Sequence, residues 1–323
     1  MGAPLLPREE LVFGPVPSRR LGRSLGVNNI PPKHCSYSCV YCQIGRTVFL
    51  EAKRRKFYDP ETLVDAVSRK ISEVGLDSID YVTFVPDGEP TLDVNLGIEA
   101  RKIKEYAPVK LAVITNGSLL WIDSVQMDLN EFDWVSVKVD AVEEKTYRRI
   151  DRPHPSLSLE QVLSGIKEFA GKFPGQLVTE TMLVEGLNDN VETLSDIADF
   201  IAGLNPSKAY IAVPTRPPAE KWVRPPSPHA MLVAYQVFRE RIGDKVEFLA
   251  SFEGGDFYFG DNVESSILSI TNVHPLRLDV AERIIREKGL EPSVIIGRLE
   301  HENKIQLVDY EGHVFIVRRP RKS

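Results

Sequence analysis

The chain has 323 residues, 42% hydrophobic and 27% charged, with a formal net charge of −6. That length suits one large or two ordinary domains with a substantial buried core. The net charge excludes a chain that is electropositive overall, as a general nucleic-acid binder would be. No apolar run is long enough to span a membrane and no basic-then-apolar leader is visible, so a cytoplasmic location is expected.

The first signal in the chain is HCSYSCVYCQ, residues 34–43. It holds all three cysteines of the protein, Cys35, Cys39 and Cys42, spaced C-x3-C-x2-C. An odd count cannot pair fully into disulfides. In a reducing compartment such a group binds metal or does chemistry. Three readings compete. Positions i, i+4 and i+7 share a helical face and could be small core residues, although the neighbours are serine, tyrosine and histidine rather than an apolar stripe. His34 could complete a Cys3His zinc site. Alternatively, three thiolates hold three irons of a four-iron cubane and leave the fourth iron open, following the logic of a catalytic metal site. A structural iron–sulfur site would use four cysteines. Basic residues flank the motif, Arg19, Arg20 and Arg23 before it and KRRK at 53–56 after it. They fit either a phosphate-tracking patch or a solvated charge run.

From about residue 58 helical and strand patterns alternate. DPETLVDAVSRKISEVG has proline near its start and apolar residues at helical spacing. IDYVTFV reads as a buried strand that ends in PDGEP. A helix at NLGIEARKIKEYA, a strand at VKLAVITNGS, an alternating strand at WVSVKVDA and a helix at SLEQVLSGIKEFAGKF follow. QLVTETMLVEG, NVETLSDIADFIAGL and KAYIAVPT continue the series as strand, helix and strand. Repeated β-α units predict a parallel sheet, here a partial (β/α)6 barrel. Ligands of such folds gather at the C-terminal strand ends, which carry Asp87-Gly88-Glu89, Asn116-Gly117, Asp140, Glu185-Gly186 and Thr215-Arg216. Alternation in VSVKVDA puts Ser136, Lys138 and Asp140 on one face, expected to line the lumen, and three valines on the other. Lys138 is a candidate for binding an anion, forming a Schiff base or pairing with Asp140. Arg216 is a candidate for orienting an anionic substrate.

Residues 214–228 are proline-rich and read as an ordered crossing or stiff linker. A helix (230–242) and a strand (245–250) follow, and EGGDFYFGDN marks a boundary, giving domains 1–255 and 256–323. The last segment reads as three helices, at VESSILSIT, HPLRLDVAERIIREKG and EPSVIIGRLEHENK, and a hairpin around Glu311-Gly312. That order predicts a winged helix-turn-helix. Residues 262–323 hold ten Lys/Arg against nine Asp/Glu. The third helix carries three glutamates against one arginine and one lysine. The balance favours a protein partner or a lid over DNA.

The motif C-x3-C-x-aromatic-C, with Tyr41 before Cys42, resembles the radical S-adenosylmethionine superfamily. The lead-in FGPVPSRRLGRSLGVNNIPPKHCSYSCVYCQIGRT resembles its wyosine-synthase-like group, over roughly residues 11–250, without the further cysteines and without the appended segment. The resemblance implies one 4Fe-4S cluster on Cys35, Cys39 and Cys42, with S-adenosylmethionine chelating the open iron. It implies reductive cleavage to a 5′-deoxyadenosyl radical and hydrogen abstraction from substrate. It places Gly88-Glu89 against the methionyl ammonium and makes Tyr41, Asn116, Ser136 and Asp140 candidate cofactor contacts, with Lys138 as candidate catalytic residue. The implied partners are an electron donor such as flavodoxin or ferredoxin and an RNA (tRNA) or peptide substrate. Two rival readings are a glycyl-radical activase, and a metal-sensing winged-helix regulator without enzymatic activity. The β-α series and Gly88-Glu89 count against the regulator.

Overall fold

The computed structural model describes residues 5–249, 257, 259 and 262–319. The boundary expected at 255/256 lies outside these described residues. In chain order the elements are β1 (Val12–Ser18), β2 (Gly22–Val27), β3 (His34–Cys35), β4 (Phe49–Leu50), α1 (Pro60–Val74), β5 (Tyr81–Phe84), α2 (Leu96–Tyr106), β6 (Leu111–Thr115) and α3 (Asp123–Leu129). They continue with β7 (Trp134–Lys138), α4 (Glu144–Ile150), α5 (Leu159–Lys172), β8 (Gln176–Met182), α6 (Val191–Leu204), β9 (Lys208–Ala212), α7 (Pro228–Ile242) and β10 (Val246–Leu249). The last are α8 (Val263–Val273), β11 (Leu276–Arg277), α9 (Leu278–Glu287), α10 (Pro292–His301), β12 (Ile305–Tyr310) and β13 (His313–Arg318).

This is an α/β fold with a mostly parallel sheet. The eight strands run in the order β1-β2-β5-β6-β7-β8-β9-β10. Among the described residues of this sheet only the β1–β2 pair is antiparallel. The sequence pattern shows six of the parallel strands; β2 is the seventh. VFGPVPS and GRSLGV lack an apolar run, and their glycines and prolines read as loop. Pro15 and Pro17 are tolerated because β1 lies at the sheet edge, where a missing N–H breaks no ladder between two neighbours.

Local chemistry fixes the helices. Asp59 caps α1 by accepting from Glu61 N at 2.9 Å, with Pro60 at the first helical position. Leu63, Val67 and Ile71 then recur at helical spacing and bury against the sheet. Val135 and Val137 of β7 enter the same core, and Val139 joins the one beneath α6 and α7. The alternation of β7 therefore sends its valines outward to the helices.

The C-terminal segment has helices α8, α9 and α10 and a three-stranded antiparallel sheet in the order β11-β13-β12. Glu311 and Gly312 both have positive φ, 48° and 75°, as a two-residue hairpin turn requires. β11 lies in the stretch that the sequence reads as the start of a helix, because two residues show no period. The core of the segment is shared: Ile267, Ile285, Leu299, Ile305 and Ile316 pack with Phe13 and Val16 of β1. Asn272 Nδ2 also donates to Glu10 Oε2 at 3.2 Å, Gln43 Nε2 to the Val273 carbonyl at 3.3 Å, and Tyr310 Oη to the Pro214 carbonyl at 3.1 Å. A cavity of about 1240 Å³ lies between Pro217–Pro218, the loop after Cys42 and the hairpin residues Val308 and Tyr310. Among the described residues no helix is long and apolar enough to cross a membrane.

Candidate active site

The cysteine loop is anchored to the end of β5. Gly88 bridges His34, and Glu89 N donates to the His34 carbonyl at 3.0 Å. A Cβ on Gly88 would sit 1.8 Å from that carbonyl oxygen, so only glycine permits the approach. Lys33 N donates to the Asp87 carbonyl at 2.8 Å, and Lys33 Nζ lies 3.2 Å from Asp87 Oδ2. Burial raises the Asp87 carboxyl to about 6 in spite of the Lys33 charge. On the outer side, Val40 N donates to the Ile150 carbonyl at 2.9 Å and Ser38 N to that of Asp151 at 3.0 Å, tying the loop to the end of α4.

Cys35, Cys39 and Cys42 are free and half-buried. Burial raises all three thiols, aided at Cys35 by Glu89 and at Cys39 by Asp151, whereas Lys33 opposes the rise at Cys42. A bound metal would have to draw off those protons, so loading releases acid. Among the described residues no three His, Cys, Asp or Glu side chains converge as a single ion requires. A cubane needs no such convergence, since each cysteine binds a different iron. His34 is engaged through one ring nitrogen, and its buried Nε2 has no partner among the described residues. Its ring stacks on Phe49 at 4.4 Å and its Nδ1 contacts Glu51. Asn116 Nδ2 donates to the Cys35 sulfur at 3.7 Å, a contact that would orient this thiolate toward a metal. The donor set therefore fits a cluster held by three thiolates, and does not fit a Cys3His zinc ion.

Glu89 and Asn116 form one unit between β5 and β6. Glu89 is 1% exposed. Its Oε1 accepts from Thr91 N at 3.0 Å and from the hydroxyls of Thr91 and Thr115 at 2.6 Å each. Its Oε2 accepts from Asn116 N at 2.8 Å. Burial raises the Glu89 carboxyl, and these four donors oppose the rise. A carboxylate offers about four acceptor positions, and Oε2 uses only one of its two. The Asn116 side chain then reaches Ser36 Oγ at 2.8 Å as well as Cys35.

On the opposite side, Tyr41 Oη donates to Asp140 Oδ2, and Asp140 Oδ1 accepts from Met182 N at 2.6 Å. Lys138 Nζ lies 3.0 Å from Glu180 Oε1, 3.9 Å from Asp140 Oδ1 and 4.8 Å from the Tyr41 ring centroid. Its first partner is thus the neighbouring strand's glutamate, which also pairs with Arg20. Ser136, two residues deeper on β7, is fully buried, and its hydroxyl has no partner among the described residues. Arg216 NH1 donates to Gln43 Oε1 at 2.9 Å, beside Cys42. The basic runs do not form one stripe. Arg23 pairs with Asp80, and Arg54 with Asp128, while Arg55 stacks on Phe57 at 4.2 Å.

Three site residues carry no local signal. Asp151 accepts from Cys39 Sγ at 3.5 Å, Glu180 holds Lys138, and Gln43 spans Arg216 and Val273. Asp151 follows an ordinary helix end, and Glu180 is one polar residue of an alternating strand. Only the register of β7 on β8, which sets Lys138 against Glu180, brings the latter to the site.

Residues 29–201 match the radical SAM superfamily, and the chain belongs to it. Over 309 residues it is 43% identical to a UPF0026 protein of Methanocaldococcus jannaschii, covering 95% of this chain and 96% of the relative, so it also belongs to the UPF0026 group. A UPF0026 protein of Helicobacter pylori (strain J99) is 37% identical over 65% of this chain and 68% of its own length. A radical SAM methyltransferase from Sphaerobacter thermophilus shares the fold, with TM-score 0.52 at 17% identity, covering 71% of this chain and 66% of that one. The cofactors of the superfamily are a 4Fe-4S cluster and S-adenosylmethionine.

Proposed function

We propose that this radical SAM enzyme holds a single cluster on Cys35, Cys39 and Cys42 and abstracts hydrogen from an RNA base or a peptide side chain. The observation that carries the reading is the set of three free thiols packed at the parallel-strand ends against the Glu89–Asn116 unit. When bound, the cluster and S-adenosylmethionine supply a 5′-deoxyadenosyl radical. The chain's own work is positioning. Glu89 Oε2 keeps an acceptor position for the methionyl ammonium. Asn116 fixes Cys35 relative to Glu89. Tyr41 and Asp140 brace the loop on the far side, and Lys138, paired with Glu180 beside Asp140, is a candidate to meet the substrate.

The order α8-β11-α9-α10-β12-β13 supports a winged-helix reading of the last segment. In this reading it acts as a lid, and the cavity beneath it admits the substrate. The lead-in before Cys35 supports kinship with the wyosine-synthase-like group. Anaerobic reconstitution followed by dithionite and S-adenosylmethionine tests the reading. The wild type should release 5′-deoxyadenosine and methionine, and Cys42→Ala should not. Equal yields from both, with a full cluster in the wild type, would refute it.

A further inference from the structure

The basic run KRRK, residues 53–56, is not uniformly a surface feature. Lys53, Arg55 and Lys56 are exposed, but the Arg54 side chain is only 10% exposed. Its Nε donates to the Thr91 carbonyl at 2.9 Å, and its NH1 to Ser124 Oγ at 2.9 Å. Its NH2 donates to the Asp93 carbonyl at 2.7 Å and to Asp128 Oδ2. Four of its five N–H donors are thus committed. Ser124 and Asp128 lie on α3, and Asp128 packs so closely on α2 that a Cβ on Gly97 would sit 2.5 Å from its Oδ1. The other two acceptors belong to the turn after Glu89. Pro90–Leu92 is one turn of 3-10 helix capped by Glu89, and Thr91 supplies two of the three donors to Glu89 Oε1. The segment that carries Arg54 also reaches the cysteines: Glu51 N donates to the Cys35 carbonyl at 3.0 Å, and Arg55 N to the Leu92 carbonyl at 2.9 Å.

We propose that Arg54 is a positioning residue for S-adenosylmethionine that acts through Thr91 on Glu89, an inference that rests on the reading of Glu89 given above. Arg54 grips the carbonyl of the same residue whose N–H and hydroxyl hold Oε1. With Oε1 fixed, the carboxylate cannot swing, and Oε2 presents its remaining acceptor position at one place. Without the grip Thr91 is free to turn away, and a buried carboxylate loses donors that offset its desolvation. The planar fork is what the site uses, because it meets the turn and α3 at once; a lysine has three donors on a flexible stem. A guanidinium this committed and this little exposed does not track phosphates, so Arg54 leaves the basic run as a part of the cofactor site.

The test is an anaerobic titration of S-adenosylmethionine into the reconstituted, dithionite-reduced full-length protein, followed by the change it makes in the EPR spectrum of the cluster. Arg54→Lys keeps the charge beside Asp128 and loses the fork; Arg54→Met keeps only the stem. Each should take up wild-type iron and show the wild-type spectrum before the titration, yet bind S-adenosylmethionine about tenfold more weakly. Placed on top of Glu89→Gln, each should weaken binding by less than about twofold further, because a residue that acts through Glu89 then has nothing left to position. Lys53→Met, in the same basic run, should bind as wild type. Wild-type affinity in both Arg54 variants overturns the proposal, as does a loss of the same size on top of Glu89→Gln. An equal loss in Lys53→Met, or failure of both Arg54 variants to take up iron, overturns it too. Wild-type affinity in Glu89→Gln alone is a distinct result, which removes the reading of Glu89 and the proposal with it.

Discussion

Replacing Glu89 by glutamine changes one atom and the charge of a group that is almost fully buried. A glutamine keeps one oxygen, which the three donors at Oε1 demand. Its amide NH2 then faces Asn116 N, 2.8 Å away, so a donor meets a donor. One charge-assisted hydrogen bond is lost, at about 1.5–3 kcal/mol. The position proposed for the cofactor's ammonium is lost with it, so S-adenosylmethionine affinity should fall by about ten- to a hundredfold. Iron content should hold, because Glu89 makes no hydrogen bond to a cysteine sulfur. The assay is equilibrium binding of S-adenosylmethionine to the reconstituted protein, with iron measured on the same sample. Asp87→Asn is the comparison, since Asp87 shares the turn but faces Lys33. Equal weakening by Asp87→Asn would show a general charge effect and refute the assignment of Glu89. Unchanged affinity in Glu89→Gln would refute it more directly.

Gly88→Ala forces a methyl to within 1.8 Å of the His34 carbonyl. Overpacking of that kind costs about 1–3 kcal/mol, and the variant should take up less iron on reconstitution; wild-type iron content would contradict the account of the turn. The Asp87 carboxyl lies at about 6 in the folded chain against an ordinary 3.8. The folded state therefore binds more protons, and this group's contribution falls as pH rises from about 4 to 6, by about 3 kcal/mol at most. Urea unfolding of the apo-protein should show wild type losing stability relative to Asp87→Asn across that window and running parallel above it; a constant difference would refute the shift. Removing residues 262–323 should lower soluble yield and the urea midpoint, because Phe13 and Val16 lose their cover, at about 1.5–3 kcal/mol for each side chain fully exposed. A truncated chain as soluble and stable as the full one would mean that β1 needs no such cover.

The spacing of the three cysteines, the Gly88-Glu89 turn and the β-α alternation are all written locally. Each depends on residues within a few positions of one another, so the sequence displays them. The valines of β7 face the helices as their alternation implies, and Glu89 and Asn116 meet because both stand at ends of adjacent parallel strands. What escapes is set by register and packing. Whether Lys138 meets Asp140 or Glu180 depends on how β7 slides on β8. Asp151 meets Cys39 because α4 ends above the loop. β2 hides because strands supported by a neighbour on each side can form from glycine-rich sequence. The shared core of β1 and the last segment joins residues more than 240 positions apart, beyond any periodicity.

Gln43 spends both ends of its amide at once, accepting from Arg216 and donating to the Val273 carbonyl. The residue after Cys42 is therefore a tie rod between the proline-rich crossing and the end of α8. Equilibrium linkage makes such a tie reciprocal. In the proposed function, tightening of the loop around a cluster and seating of the C-terminal segment are coupled through this tie, each strengthening the other by the same free energy. Iron-loaded and iron-free protein should accordingly differ in proteolytic sensitivity near α8, far along the chain from any cysteine.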